Sequence, residues 1–340
     1  MAGAIQALEG KVERLSGHRR QVLACDVGST LAQGSRFPRF LTILRPTAVR
    51  PERRHPLTTP AGISLSNIKV GVFVDAENTR YNGGYQLRYD VLRRFAARNG
   101  GTLLRLNVYL AFDAERARED ADYARRTYAY QNTLRDFGWK VIVKNVKRYT
   151  DEDGQTTTKA NADLDLAVDA MLQAENLDEV LLVSGDGDFL QLVTALQNKG
   201  CRVELLGFNN VSRQLQRQVD AFHSGFLIPD LVPIHYEPRN LWGQPGSCVR
   251  GYCSRWIEDK GYGFLSFIKG IQHNLWITDH RDPDSPWNSA FCHINELADG
   301  LQPDELLDRD TILEFYLHQS DQKDDGLVAQ NVRRVQIKGR

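Results

Sequence analysis

The chain has 340 residues, 43 Lys+Arg against 43 Asp+Glu, and 41% hydrophobic residues. That is room for two ordinary cores, and it excludes a wholly disordered chain and a globally basic nucleic-acid binder. The five cysteines, at positions 25, 201, 248, 253 and 292, show no CxxC pairing. A disulfide scaffold and a structural zinc site are therefore not expected, and a reducing, cytoplasmic setting fits.

Residues 1–66 carry a net charge of +6, mostly as arginine: Arg19, Arg20, Arg36, Arg39, Arg45, Arg50, Arg53 and Arg54. Pro38, Pro46, Pro51, Pro56 and Pro60 break any regular element there, so this stretch reads as a disordered basic extension. A nucleic-acid-touching arm and an Arg-rich transit peptide are the functional alternatives. Its best apolar run, Phe40–Val49, is interrupted by Arg45 and Pro46. Neither a membrane span nor a secretory signal is expected.

Residues 67–228 alternate strand and helix patterns. Strands are expected at Lys69–Val74, Leu103–Ala111, Trp139–Val143, Glu179–Val183 and Cys201–Leu206. Helices are expected at Tyr89–Ala97, Ala114–Phe137, Ala162–Ala174 and Phe189–Asn198. The third helix would bury a stripe of Leu164, Ala167, Val168, Met171 and Leu172. This rhythm argues for an α/β, Rossmann-like, mostly parallel sheet sandwiched by helices, with its site at the carboxyl ends of the strands. Pro229, Pro233, Pro238, Gly243, Pro245 and Gly246 then mark a linker over 229–247. Residues 248–340 follow as short aromatic-rich segments near 250–257, 263–268, 290–294, 311–318 and 328–337. Five such strands suit a small β-barrel.

Carboxylates fall where a site of this fold belongs. Asp75 follows the first strand, in Val74-Asp75-Ala76-Glu77-Asn78. Asp186 and Asp188 follow the fourth, in Ser184-Gly185-Asp186-Gly187-Asp188-Phe189, where the two glycines would let the backbone turn tightly. Asp163 opens the third helix. Any one of them alone reads as a turn residue or N-cap. Together they repel one another unless a cation joins them or their pKa values rise. Hard oxygen donors of this kind suit Mg²⁺ or Mn²⁺, which assist phosphoryl displacement. Asn78, Lys159, Ser184, Asp165 and Asp169 are candidates for a supporting shell, with a loop charge or a solvated helix face as the alternative.

Three stretches carry a resemblance. They are Val72-Phe73-Val74-Asp75-Ala76-Glu77-Asn78, the KANADLDLAVD run from Lys159 to Asp169, and Val183-Ser184-Gly185-Asp186-Gly187-Asp188-Phe189. On these, residues 67–235 resemble an NYN domain of the LabA-like group, within the PIN-like nuclease superfamily. The resemblance implies a metal-dependent endoribonuclease fold, a hydrolase with its acidic site on Asp75, Asp163, Asp186 and Asp188. GDGD after a strand is also similar to the last motif of haloacid-dehalogenase-type phosphatases. Those need DxD after the first strand, where this chain has Asp75-Ala76-Glu77.

In the last region, Lys260-Gly261-Tyr262-Gly263-Phe264-Leu265-Ser266-Phe267 carries alternate aromatics. Period two puts Tyr262 and Phe264 on one face beside Lys260, with Phe291 and His293 doing the same on a neighbouring strand and Trp256 adding another ring. Such a face stacks single-stranded bases; the alternative is that these rings are half the barrel core. Residues 249–337 resemble a cold-shock domain, an OB-type barrel, on KGYGFLSF and on Ala290-Phe291-Cys292-His293-Ile294. The resemblance implies binding of single-stranded RNA or DNA. Two departures stand out: the family's first-strand Trp falls on Arg255, and the segment between Ile268 and Ala290 is long, with Trp276, Pro283, Pro286 and Trp287. Residues 245–340 are also net −4, which weakens general phosphate attraction. The expectation is an RNA-processing or turnover protein with Mg²⁺ or Mn²⁺ as cofactor and single-stranded RNA as partner. It has no membrane partner, and homo-oligomers are compatible with it. A regulatory RNA-binding protein with a vestigial site is the non-enzymatic alternative.

Overall fold

The computed structural model describes residues 68–150, 156–159, 162–234, 241–272, 274–308, 310–320 and 326–335. The basic extension expected at 1–66 lies outside these residues.

The first half of the described chain is built on β1 (Lys69–Asp75), β2 (Thr102–Phe112), β3 (Lys140–Asn145), a hairpin of β4 (Lys147–Thr150) and β5 (Thr156–Lys159), then β6 (Glu179–Val183), β7 (Arg202–Gly207) and β8 (Ala221–Ser224). Six strands form one sheet in the order β3-β2-β1-β6-β7-β8, and every neighbouring pair is parallel. Buried runs such as Val72-Phe73-Val74 and Leu181-Leu182-Val183 are continuous rather than alternating, as a parallel sheet covered on both faces requires. One face packs Val70, Val72 and Val74 against Val91, Leu92 and Phe95. The other packs Phe73, Val180, Leu182 and Leu205 against Leu166, Ala170, Val193 and Leu196.

The covering helices are α1 (Ala76–Tyr81), α2 (Tyr89–Ala96), α3 (Ala114–Glu119), α4 (Ala121–Asp136), α5 (Ala162–Gln173), α6 (Leu190–Asn198) and α7 (Arg213–Gln218). The single helix expected over 114–137 is two. Asp120 is extended at φ −117°, ψ 93°, and its carboxylate accepts the Tyr123 amide, so it caps α4 instead of continuing α3. The expected stripe of α5 is also corrected. Ala162, Leu166 and Ala170 are buried, and Ala167 and Met171 of the expected stripe pack half-buried beside them, whereas Leu164, Val168 and Leu172 are exposed. Both sets recur every four residues; the small alanines let α5 approach the sheet. Flank bonds from Lys144 to Asp165 and from Tyr109 to Asp169 fix its rotation.

The second half is a closed barrel of β9 (Cys248–Ile257), β10 (Tyr262–Ile268), β11 (Trp287–His293), β12 (Leu313–Gln319) and β13 (Leu327–Arg334), with the short helix α8 (Pro303–Leu306) before β12. Closure leaves no unpaired edge. Leu265, Phe267, Cys292, Phe315, Leu317 and Val332 fill it.

The stretch expected as a linker is packed at its start. Leu231 and Val232 belong to the core on the α2 face of the sheet, and so do Ile268, Leu275 and Trp287 of the barrel half. Buried Arg250 on β9 donates to the carbonyls of Val232 and Pro233 and pairs with Glu314 at 3.0 Å. Cys201, Cys248, Cys253 and Cys292 are free, buried thiols. Among the described residues no helix is long and apolar enough to cross a membrane.

Candidate active site and nucleic-acid interface

The chain leaves β1 toward β2 and β3 on one side, and returns to pair β6, β7 and β8 on the other. The carboxyl ends of β1 and β6 therefore flank the switch point, where open α/β sheets form a crevice. Asp75 is the last residue of β1, and the Asp186–Asp188 loop leaves β6. Asp163 lies in the first turn of α5.

A short network ties the two strand ends together. Asp75 caps α1, accepting the Asn78 amide at 3.0 Å, and also accepts the Ser184 hydroxyl at 3.1 Å. The Ser184 oxygen accepts the Asp186 amide at 3.2 Å, and the Asn78 side-chain oxygen accepts the Gly185 amide at 2.8 Å. Asn78 and Ser184 thus hold the loop against β1. Gly185 and Gly187 were expected to permit a tight turn, but neither has positive φ. Their role is close approach: a Cβ on Gly185 would stand 3.3 Å from Val211 Cα, and one on Gly187 3.0 Å from Ser212 Oγ. The loop after β7, which sequence reading passed over, packs directly on this turn.

Burial chiefly, with Asp163 and Asp186 adding repulsion, pushes the Asp75 carboxyl up to about 6 despite its two hydrogen bonds. Asp163 is raised as well, by partial loss of solvent and then by Asp186 and Asp188. These four carboxylates feel one another, and among the described residues no cationic side chain pairs with them. Asp165 and Asp169 are engaged elsewhere, by Lys144 at 2.7 Å and by the Tyr109 hydroxyl at 2.9 Å. Lys159 ends β5; its side chain lies outside the described residues. Oxygen donors in mutual repulsion fit a hard divalent cation by chemistry. As placed, no three His, Cys, Asp or Glu side chains among the described residues stand close enough to hold one.

On the barrel, Tyr262, Phe264 and Phe291 form one half-exposed cluster, with ring centroids 5.3–6.2 Å apart. Gly263, Leu265 and Phe267 point inward between them. Trp256 does not join the cluster. It pairs with Gly263 and lies on the inward face, where a Cβ on Gly263 would meet its ring at 2.4 Å. Arg255 sits opposite Phe264 and takes the place beside the cluster. Lys260 and His293 are exposed at the same end, with His293 paired to Tyr262 in register.

Fold and site together define a PIN-like α/β domain followed by an OB-like barrel. Residues 69–230 match the family described as NYN domain. Over 161 residues the chain is 26% identical to the "Low amplitude and bright protein LabA" of Synechococcus elongatus, an alignment spanning 45% of this chain and 82% of that protein. A solved structure of a protein of unknown function from Vibrio parahaemolyticus aligns at TM-score 0.39 and 25% identity, covering 49% of this chain and 97% of that one.

Proposed function

We propose that the protein is a divalent-metal-dependent ribonuclease of the cytoplasm whose barrel holds the single-stranded substrate. The observation that carries this reading is the gathering of Asp75, Asp163, Asp186 and Asp188 at the switch point without a compensating cation among the described residues. To hold Mg²⁺ or Mn²⁺ these four would have to close up from their present spacing, and Asn78 and Ser184 would keep Asp75 and Asp186 facing one another. Such an ion, when bound, supplies positive charge to an anionic phosphodiester and to the charge that develops on it. Asp75, the most buried of the four, is the group best placed to take a proton near neutral pH. The barrel reading rests on the outward rings of Tyr262, Phe264 and Phe291 and on the likeness of their motif to cold-shock domains.

A second reading, RNA binding without catalysis, is supported by two facts. Both oxygens of Asp75 are already hydrogen-bonded, and no described trio is in place to hold a metal. Cleavage of single-stranded RNA in Mg²⁺ or Mn²⁺, comparing the wild type with Asp186→Asn, separates the two. Asparagine still caps, so the variant keeps its fold and loses one charge. Cleavage abolished in the variant supports the nuclease. Binding intact with no cleavage by either protein supports the second reading.

A further inference from the structure

The segment that leaves the acidic edge, α1 and the loop after it, carries two exposed rings. α1 runs from the Asp75 cap to Tyr81, so six residues carry Tyr81 about 9 Å along the helix from the acidic cluster. Tyr81 is 61% exposed and Tyr85, four residues further, is 65% exposed. Singly exposed large side chains are ordinary on a folded surface; what sets these two apart is their place on the segment that leaves the acidic edge.

The rings stand on a pinned loop. The Asn82 amide donates to the Asn78 carbonyl and the Gly84 amide to the Thr79 carbonyl; the Asn209 amide donates to the Asn82 carbonyl and the Arg88 amide to the Leu231 carbonyl. Gly83, at φ +112°, and Gly84 are pressed against Phe226, Thr79 and Phe208, where a Cβ would stand 2.5–2.8 Å from their side chains. Presenting the rings therefore costs little further ordering. The Arg80 guanidinium lies 4.4 Å over the Tyr81 ring and pairs with Glu77 at 2.8 Å. Its charge is shared with Glu77 across an exposed pair, and its plane extends the stack. On the same side, Tyr130 donates to Tyr89 at 3.0 Å and senses the charge of Glu77, which places it near the α1 helix.

The charges decide which part of a nucleic acid this surface can take. The neighbouring carboxylates repel phosphates, and Arg80 is paired with Glu77, so this surface does not favour tracking of a phosphate backbone. Flat, weakly charged rings take flat bases. We propose that Tyr81, with Arg80 stacked on it, and Tyr85 form a base-stacking subsite that holds unpaired nucleotides next to the acidic cluster. This rests on the nuclease reading for the identity of the ligand. Bases inside a duplex cannot reach such a surface, so the subsite selects single strands independently of the barrel.

The test is binding of a 12-nucleotide single-stranded RNA, and of an abasic oligomer of equal length, by the full chain in EDTA. A Phe264→Ala background keeps the barrel face from masking the effect. Tyr81→Ala and Tyr85→Ala should each weaken RNA binding about tenfold and leave the abasic oligomer unchanged, and Tyr81→Phe should restore it. Unchanged RNA affinity in the double alanine variant overturns the proposal, as does equal loss for RNA and abasic oligomer. EDTA makes the outcome independent of catalysis. Base-dependent loss without any metal-dependent cleavage would leave the subsite standing and remove the nuclease. Cleavage abolished by Asp186→Asn with no effect of the tyrosines would do the reverse.

Discussion

Asn78 is a single side chain on which the whole acidic edge leans. Its side-chain oxygen takes the amide of buried Gly185, and the residue's backbone N–H donates to Asp75. Asn78→Ala leaves the Gly185 N–H without its acceptor, at a cost of about 1–3 kcal/mol, to be read by denaturant unfolding. Cleavage should fall further than stability alone explains, because Asp186 is no longer held against Asp75. At this scale much was legible in the sequence. Asp75, Asp186 and Asp188 stood at strand ends, and strand ends of a parallel sheet are where such a fold gathers its site. Trp256 was not legible. A bulge at Ser254, where Phe264 pairs with Arg255 but Leu265 pairs with Cys253, shifts the alternation by one and turns Trp256 inward. Tyr81 and Tyr85 were missed because nothing in composition separates an exposed tyrosine from a packed one.

Strands and helices follow the same division. The five strands of the sheet core and the five of the barrel were legible, because buried runs and period-two alternation are strong signals. The α5 face was misread because two stripes of equal spacing compete, and only packing chooses the one bearing alanines. Short β8 was also missed. It is only half-buried, through Phe222 against the core and through a polar cluster in which Glu204 on β7 meets Arg98, Arg202 and His223, the last of these on β8. Burial alone would raise the Glu204 carboxyl, but His223 and Arg98 overrule it and bring it down to about 2. A carboxyl depressed in the fold stabilises above its unfolded pKa and loses that contribution as pH falls through the folded value. Burial also holds His223 below its usual range, so protonation of the unfolded chain adds in the same direction. Glu179, Asp75 and Asp163, all raised by burial, act in the opposite direction above about pH 4. The Glu204 contribution should be lost as pH falls from about 4.5 to about 2, and Glu204→Gln should flatten that part of the loss in acid titrations followed by circular dichroism.

At the scale of the molecule, the barrel is seated and not merely tethered. Ile268, Leu275 and Trp287 share a core with the sheet, and Arg250 reaches from β9 to two carbonyls of the preceding segment while holding Glu314, which Arg333 also grips. Arg250→Met leaves buried Glu314 with Arg333 alone and takes the donor from two carbonyls, at a cost of about 1–3 kcal/mol. Calorimetry should then show two transitions where the wild type shows one, as the barrel comes away before the sheet melts. If single strands pass from barrel to acidic edge, the same variant should raise KM more than it lowers kcat.

The buried thiols have a practical consequence. Burial pushes the Cys248 and Cys292 thiols up to about 12, and raises Cys201 and Cys253 as well. None offers a thiolate to an alkylating reagent while the fold is closed. Cys201 belongs to the sheet half and the other three to the barrel. Timed alkylation followed by peptide mapping would therefore act as a two-channel clock, recording the opening of each half separately within one native chain, with no probe introduced.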